Sequence, residues 1–494
     1  MRKSGILLHI SSLPGKYGIG SFGKEAYEFV DHLYQSKQQL WQILPLTPTG
    51  YGDSPYQSFS TFAGNPYFID IEALYEKGWL SMDDLQQALN LTTSIDYAKL
   101  YTTRFTLLKK AYQKSSISEE EDFIQFCKQE TYWLDEYALF MALKDAHNGR
   151  PWNEWEDNLK FRNKEIIQQA KIKYQEEIEF YKFIQFIFWQ QWQNLKNYAN
   201  EKNIEIIGDI PIYVAYDSAD TWTHPELFQL DANLCPKAVA GVPPDGFSAD
   251  GQLWGNPLYR WNYHKETKYA WWIQRMKACA KQYDIVRMDH FRGFDAYFSI
   301  PFKDTTARNG QWQPGPGYDL FVHIQKELPD IQIIAEDLGY LTDSVKQLLK
   351  DCGYPGMKIF QFAFDSRDSS GAQSYLPHNY IENSIVYTGT HDNETLMGWF
   401  DSILPKEKEA LKQYLCTTSN DCQKLLMKSI ATVMQSVSKW CIIPMQDWLG
   451  YDNQARMNEP STFTGNWKWK MTNSEFTKEL EGTISQFTST YGRG

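Results

Sequence analysis

The sequence predicts an α/β protein: a closed (β/α)8 barrel with large inserted, mainly helical subdomains. Three observations carry that prediction. Eight short apolar, β-branched runs recur along the chain, several bounded by text of helical period. Two intervals between runs are much longer than ordinary connections. Carboxylates stand at or just beyond the C-terminal ends of several runs, where a barrel gathers its reactive groups.

The runs, in chain order, are 5–10, 40–46, 204–214, 284–288, 331–335, 357–364, 384–387 and 440–445. Helical text covers 24–37, where Ala26, Phe29, Val30 and Leu33 share one face. It returns over 267–283, 319–328, 342–351 and 424–439. Strands that alternate with helices form βαβ units and a parallel sheet. A count of eight favours a closed barrel over an open doubly wound sheet. Residues 1–494 are read as one such barrel, with an insertion at 47–203 after the second strand and another at 215–283 after the third. In the first, Phe180, Phe183, Ile184, Ile187, Phe188, Trp192 and Leu195 recur near helical spacing. The second is rich in Gly, Pro and aromatic residues, and its segment 241–259 reads as a lid loop with glycine hinges. Loops this long are usually functional, and a barrel would hold both above its reaction centre. The acidic cluster 119–122 reads as a solvated helix start.

Composition bounds the function. The 494 residues carry 49 basic and 61 acidic side chains, a formal net charge of −12. That balance argues against nucleic acid and against anionic membranes as partners. No apolar stretch approaches the ~20 residues of a membrane span. The run at 5–10 is shorter than the ~7–15 residues of a signal-peptide core. Seven scattered cysteines without a C-x-x-C pair point to a reducing, cytoplasmic setting. Aromatic residues reach 16%, which suits either an aromatic core or a groove that stacks sugar rings.

The segment GIGSFG at 18–23 fits G-x-G-x-x-G, but SSLPGKY separates it from its strand, and no acidic residue closes the second run. It reads as a flexible βα loop, not a nucleotide site. No G-x-S-x-G elbow, H-E-x-x-H pair or EF-hand loop occurs, so neither metal nor cofactor is expected. The glycosylation-type triplets at Asn90 and Asn393 read as accidental.

The carboxylates are more informative. Asp209 follows IEIIG, Asp289 follows DIVRM, Glu336 and Asp337 follow IQIIA, and His391 and Asp392 follow SIVYTGT. Each alone reads as a cap or turn residue. Four such strand ends in chain order would meet on one barrel rim. Arg287 stands two residues before Asp289, and strand period two turns both to the same side. A guanidinium there is expected to lower the Asp289 pKa, as suits a nucleophile. The apolar run before Glu336 is expected to raise its pKa, as suits a proton donor. Two carboxyl groups with opposed environments are what glycoside hydrolysis or transfer requires.

These motifs resemble one family along nearly the whole chain. GILLHISSLPGKYGIGSFG, LPLTPTGYGDSPYQSFSTFAGNPYFID, GDIPIYVAYDSADTW, GVPPDGFSADGQLWGNPLY, VRMDHFRGF, IIAEDLG, YTGTHDNET and PMQDWLG follow in the order of the amylomaltases, or 4-alpha-glucanotransferases, of the α-amylase superfamily. The resemblance implies a (β/α)8 barrel with inserted subdomains and no C-terminal β-domain, acting on α-1,4-glucans and maltooligosaccharides. It casts Asp289 as nucleophile, Glu336 as general acid and base, and Asp392 as the third carboxylate. Arg287, His391, Asp209 and Tyr56 then become substrate contacts. Phe247, Gln252 and Trp254 fall in the family's mobile loop, which departs from some relatives' glutamate at Ala249 and Asp250. An α-glucan hydrolase on the same barrel and a silent glucan-binding protein are the competing readings.

Overall fold

The computed structural model describes residues 2–244, 248–339, 341–367, 371–462 and 464–494. Its centre is a closed barrel of eight strands: β1 (Lys3–Leu7), β2 (Leu40–Gln42), β3 (Glu205–Ile210), β4 (Ile285–Met288), β5 (Gln332–Ala335), β6 (Gly356–Ile359), β7 (Ser384–Tyr387) and β8 (Trp440–Pro444). Every neighbour pair is parallel and consecutive, and β8 closes on β1 with Lys3 opposite Trp440 and Leu7 opposite Pro444. Each strand lies within or at the edge of one of the eight apolar runs. Strands β1, β2, β3, β6 and β8 end sooner than their runs do. β3 stops before Pro211, which has no N–H to give a ladder. After β6 the chain turns into the 3-10 helix Phe360–Phe364.

Helices cover the barrel as the periodicity predicts. Lys24–Gln35 buries Ala26, Phe29, Val30 and Leu33. Ala270–Gln282, Tyr318–Glu327, Asp343–Cys352 and Cys422–Gln435 occupy the other predicted spans, shifted by a few residues at their ends. The acidic cluster opens the helix Glu121–Gln129, with Glu121 and Asp122 exposed. Between β2 and β3 stands a set of helices ending in the 27-residue Gln175–Glu201. That helix buries the whole predicted stripe from Phe180 to Leu195, and it packs on Thr131–Ala146, on Lys24–Gln35 and on β3.

One part of the fold has no counterpart in the sequence reading. Gln252–Pro257, Ala238–Val242, Ala296–Pro301 and Gln311–Pro314 form a four-stranded antiparallel sheet in that order. Two strands precede β4 and two follow it. Their short, Gly- and Pro-containing text lacks a clean alternation, and the pairing that joins the two halves, Ala238–Val242 to Ala296–Pro301, is non-local.

The aromatic excess serves the core first. Trp41, Trp152, Trp192, Trp222 and Trp272 are all fully buried. Phe22 meets Phe188 edge-on at 5.2 Å and lies 5.3 Å from Trp192, which ties the first βα loop to the long helix. Among the described residues no helix is long and apolar enough to cross a membrane.

Candidate active site at the barrel rim

The C-terminal strand ends bring the expected residues together. Asp209 on β3 and Arg287 on β4 are register partners, so both side chains face the barrel interior. Arg287 Nη1 donates to both Asp209 oxygens, at 2.8 and 2.6 Å, and to Asp289 Oδ1 at 3.0 Å. Asp209 and Arg287 are buried, whereas the Asp289 side chain keeps 27% of its surface. Asp289 is therefore the member of the trio that a ligand can reach.

Glu336 stands immediately beyond β5, beside β4 in the sheet. Its Oε2 accepts the His290 N–H at 2.6 Å and its Oε1 accepts the Leu338 N–H at 2.9 Å. The first bond depends on an unusual backbone. His290 has φ +50°, a left-handed conformation that costs a non-glycine residue about 1–2 kcal/mol. The main chain is stitched there by Asp289 N–H to Ile210 O, Phe291 N–H to Glu336 O and Glu336 N–H to Met288 O, all at 3.0 Å. The rim between β4 and β5 is thus fixed by backbone, not by side chains alone.

The electrostatics agree with the sequence at Glu336 and reverse it at Asp289. Burial raises the Glu336 carboxyl, against the pull of Arg287 and the two N–H groups. Burial also pushes the Asp289 carboxyl well above its ordinary range. Arg287 opposes this, while Asp209, Glu336 and Asp392 add repulsion. The expected lowering fails because burial outweighs the Arg287 charge, which Asp289 also shares: Asp209 takes both short bonds and Asp289 the longer one. Burial works against the Arg287 charge too, yet Asp209 and Asp289 outweigh it and hold the guanidinium above its usual range.

His391 and Asp392 follow β7. His391 is buried, and burial lowers its pKa, so its ring is neutral near pH 7. Its Nε2 lies 3.3 Å from Asp392 Oδ1, and Tyr56 stacks on the ring at 5.2 Å with planes 13° apart. The Tyr56 hydroxyl donates to Asp209 Oδ2 at 2.9 Å, so one tyrosine bridges the β3 and β7 ends of the site. The Asp392 side chain is 42% exposed and faces the opening.

Trp254 stands edge-on to His290 at 4.8 Å, and its indole N–H donates to Gln252 Oε1 at 3.0 Å. Gln57, next to Tyr56, donates to Asn256 Oδ1 at 2.9 Å and links the two flanks of the cleft. Phe247 lies outside the described residues.

Several participants escaped the sequence reading. Asn458 donates to Asp392 Oδ1 at 2.6 Å, and Arg456 donates to the Asp392 carbonyl at 2.7 Å. Trp467 lies 5.9 Å from both Tyr56 and His391. These residues belong to no strand run and sit far along the chain from their partners. The His290 N–H was also missed, since a backbone donor carries no sequence signal.

The arrangement offers two neighbouring carboxyls, one bound to a cation and one not, plus a third that is open to solvent. That constellation fits displacement at a sugar's anomeric carbon. Comparison with known proteins points the same way. Residues 8–476 match the Glyco_hydro_77 family model, described as 4-alpha-glucanotransferase. The chain belongs to this family. A 4-alpha-glucanotransferase of Clostridium butyricum is 49% identical over 490 residues, covering 98% of this chain and 100% of that one. One from Streptococcus pneumoniae serotype 4 is 45% identical over 498 residues, covering 100% and 97%. Among solved structures, an amylomaltase from Streptococcus agalactiae in complex with acarbose superposes with a TM-score of 0.95. It is 44% identical and each chain covers 100% of the other. The family expectation and the (β/α)8 barrel expectation both stand.

Proposed function

We propose that this chain transfers α-1,4-glucan segments from a donor to the 4-hydroxyl of an acceptor glucan or glucose, by a retaining double displacement with Asp289 as nucleophile. The observation that carries the assignment is the unequal support of two adjacent carboxyls. Asp289 meets the Arg287 guanidinium, while Glu336 meets only neutral N–H groups. Burial raises both carboxyls, so the crowded pair favours holding one proton between them. The Arg287 contact at 3.0 Å, which Glu336 lacks, favours the ionised form at Asp289, and the proton is assigned to Glu336 on that geometry.

Glu336 gives that proton to the glycosidic oxygen as the bond to the anomeric carbon breaks. An Asp289 oxygen forms the new bond to that carbon, and the leaving glucan departs with a free 4-hydroxyl. An acceptor 4-hydroxyl then loses its proton to Glu336 and attacks the same carbon, releasing Asp289. Two inversions retain the α configuration. Asp392, held by Asn458 and open to the cleft, binds sugar hydroxyls as the ring flattens. Asp209, Arg287, Tyr56 and His391 form the wall that orients the donor sugar. Gln252 and Trp254 belong to the segment 241–259, which we read as a lid that keeps water from the intermediate. The residues 47–203 and 215–283 are read as insertions that build this wall. Seven free cysteines favour a reducing, cytoplasmic setting.

The deciding experiment incubates the purified protein with maltotriose and follows product sizes, glucose and reducing ends. Longer maltooligosaccharides with accumulating glucose, at constant reducing ends, are expected. Reducing ends that rise with each cleavage would make the protein an α-glucan hydrolase. The Asp289→Ala variant is expected to lose turnover while keeping its Tm within a few degrees. Near-native turnover in that variant would remove Asp289 from the nucleophile's role.

A further inference from the structure

The segment PMQDWLG matches the family, but none of the chemistry above uses its carboxylate. Asp447 lies on the short helix Met445–Leu449, which directly follows β8. It is 1% exposed. A buried carboxylate without a cation in contact costs stability unless something specific holds it. Asp447 makes two side-chain bonds, one at each oxygen. Oδ2 accepts the Thr388 hydroxyl at 2.6 Å, and Oδ1 accepts the Leu396 N–H at 2.7 Å. Thr388 is the first residue beyond β7, and Leu396 opens the helix Leu396–Ser402. Between them runs the loop 388–396, which carries His391 and Asp392.

One carboxylate therefore clamps both ends of the loop from the neighbouring strand's end. Inside the loop, Asn393 Oδ1 accepts the Thr390 N–H at 2.8 Å and its hydroxyl at 2.9 Å. Gln361 anchors the Glu394 carbonyl at 2.8 Å. The loop is thereby a closed, internally bonded turn whose position is set at its two feet. His9, His391, Glu394 and Arg456 are the titratable and charged groups that line the same small cavity as Asp447. None of them bonds to it.

We propose that Asp447 is a positioning residue for the reaction: by holding Thr388 and Leu396 together it fixes where the Asp392 carboxylate meets the sugar. The inference rests on the role assigned to Asp392 above. It touches no substrate and acts only through the loop. A misplacement of about 1 Å at a reacting group can cost about 100-fold in rate.

The test measures kcat and KM for maltotriose disproportionation, with Tm, in Asp447→Ala, Asp447→Asn and Thr388→Val. The Asn side chain can keep both contacts, its oxygen accepting from Leu396 and its N–H donating to the Thr388 oxygen. Asp447→Ala is expected to lose about 100-fold in kcat with KM within about three-fold. Asp447→Asn is expected to recover to within about ten-fold of the parent, and Thr388→Val to fall between. In an Asp392→Asn background, Asp447→Ala is expected to cost less than about three-fold, because its effect has no carboxylate left to act on. A loss that persists undiminished in that background would overturn the proposal, as would near-native kcat in Asp447→Ala. If Asp447→Ala does not fold, Asp447→Asn and Thr388→Val decide: equal, native kcat in both overturns it. Near-native turnover in Asp392→Asn alone would instead overturn the role of Asp392.

Discussion

His290 shows how much of this site is a matter of single residues. Its left-handed backbone turns an N–H onto Glu336, and its ring sits neutral against Trp254 with a pKa lowered by burial, then by Arg292, to about 4. The strain is offset by a bond to Glu336, the group proposed to handle the proton. Glu336 is raised by burial, so it keeps its proton as pH climbs beyond the ordinary carboxylate range. The rate should fall on the alkaline side as the Asp289–Glu336 pair loses its one shared proton and on the acid side as it gains a second. Glu336→Gln tests the division of labour. On maltooligosaccharides it should lose at least about 1000-fold in kcat. On an α-maltosyl fluoride donor, whose leaving group needs no proton, formation of the glycosyl-enzyme should be largely spared. Equal loss on both donors would show that Glu336 does more than move a proton.

Elements carry the site by their ends. Strands β3, β4, β5 and β7 each deliver one or two side chains to the rim, and the seam between the first and last strands is locked from below. Arg493 is fully buried and donates to the carbonyls of Lys3, Met434, Ser436 and Ser438. It thus ties β1 to the text entering β8. Arg493→Met would remove this donor from four carbonyls near the barrel floor. Those of Met434 and Ser436 keep a bond from Arg2 at 2.7 Å, so the cost is about 1–3 kcal/mol by the usual penalty for unpaired buried groups. Chemical denaturation should show a lowered midpoint at unchanged slope, with kcat per folded molecule preserved. A second constraint lies at the start of β6. A methyl on Gly356 would stand 2.4 Å from Asp337 Oδ2. The close approach lets Asp337 accept the Met357 N–H at 2.6 Å and seat the strand beside the Glu336 rim.

For the whole molecule, buried carboxylates set a pH dependence of stability. Burial pushes Asp220 and Asp447 from an ordinary 3.8 up to about 6. The fold then holds protons that the unfolded chain releases, so each group's contribution falls as pH rises from 3.8 to about 6, by about 3 kcal/mol. Asp220→Asn removes that slope. Its stability relative to the parent should grow across this window in urea titrations, and a flat difference would contradict the burial argument. Asp220 also accepts the Thr61 N–H at 2.9 Å, so it joins the helix Ala219–Thr223 to the loop that presents Tyr56. The segment proposed as a lid belongs to the same scale, because its strand Gln252–Pro257 lies in the antiparallel sheet while Trp254 meets His290 at the cleft. Trp254→Ala opens the side of the cleft by His290 and should raise the share of hydrolysis over transfer at least about three-fold, read as reducing ends per glucose released.

The sequence by itself determined the barrel, because each strand is a local run whose β-branched text needs no distant partner to be recognised. It also located Asp209, Asp289, Glu336, His391 and Asp392, because polar groups at or just beyond four such strand ends in chain order meet on one barrel rim. Tertiary structure decided what sequence spacing cannot encode. Asn458 reaches Asp392 across 66 residues, Asp447 reaches Thr388 across 59, and the antiparallel sheet pairs strands on either side of β4. It also decided the charge state around Asp289. Arg287 is visible two residues away in the sequence, but burial and three converging acids exist only once the strand ends have met. Contacts that follow a local period leave a trace in the text; contacts made by closing a barrel depend on which distant backbones are held together.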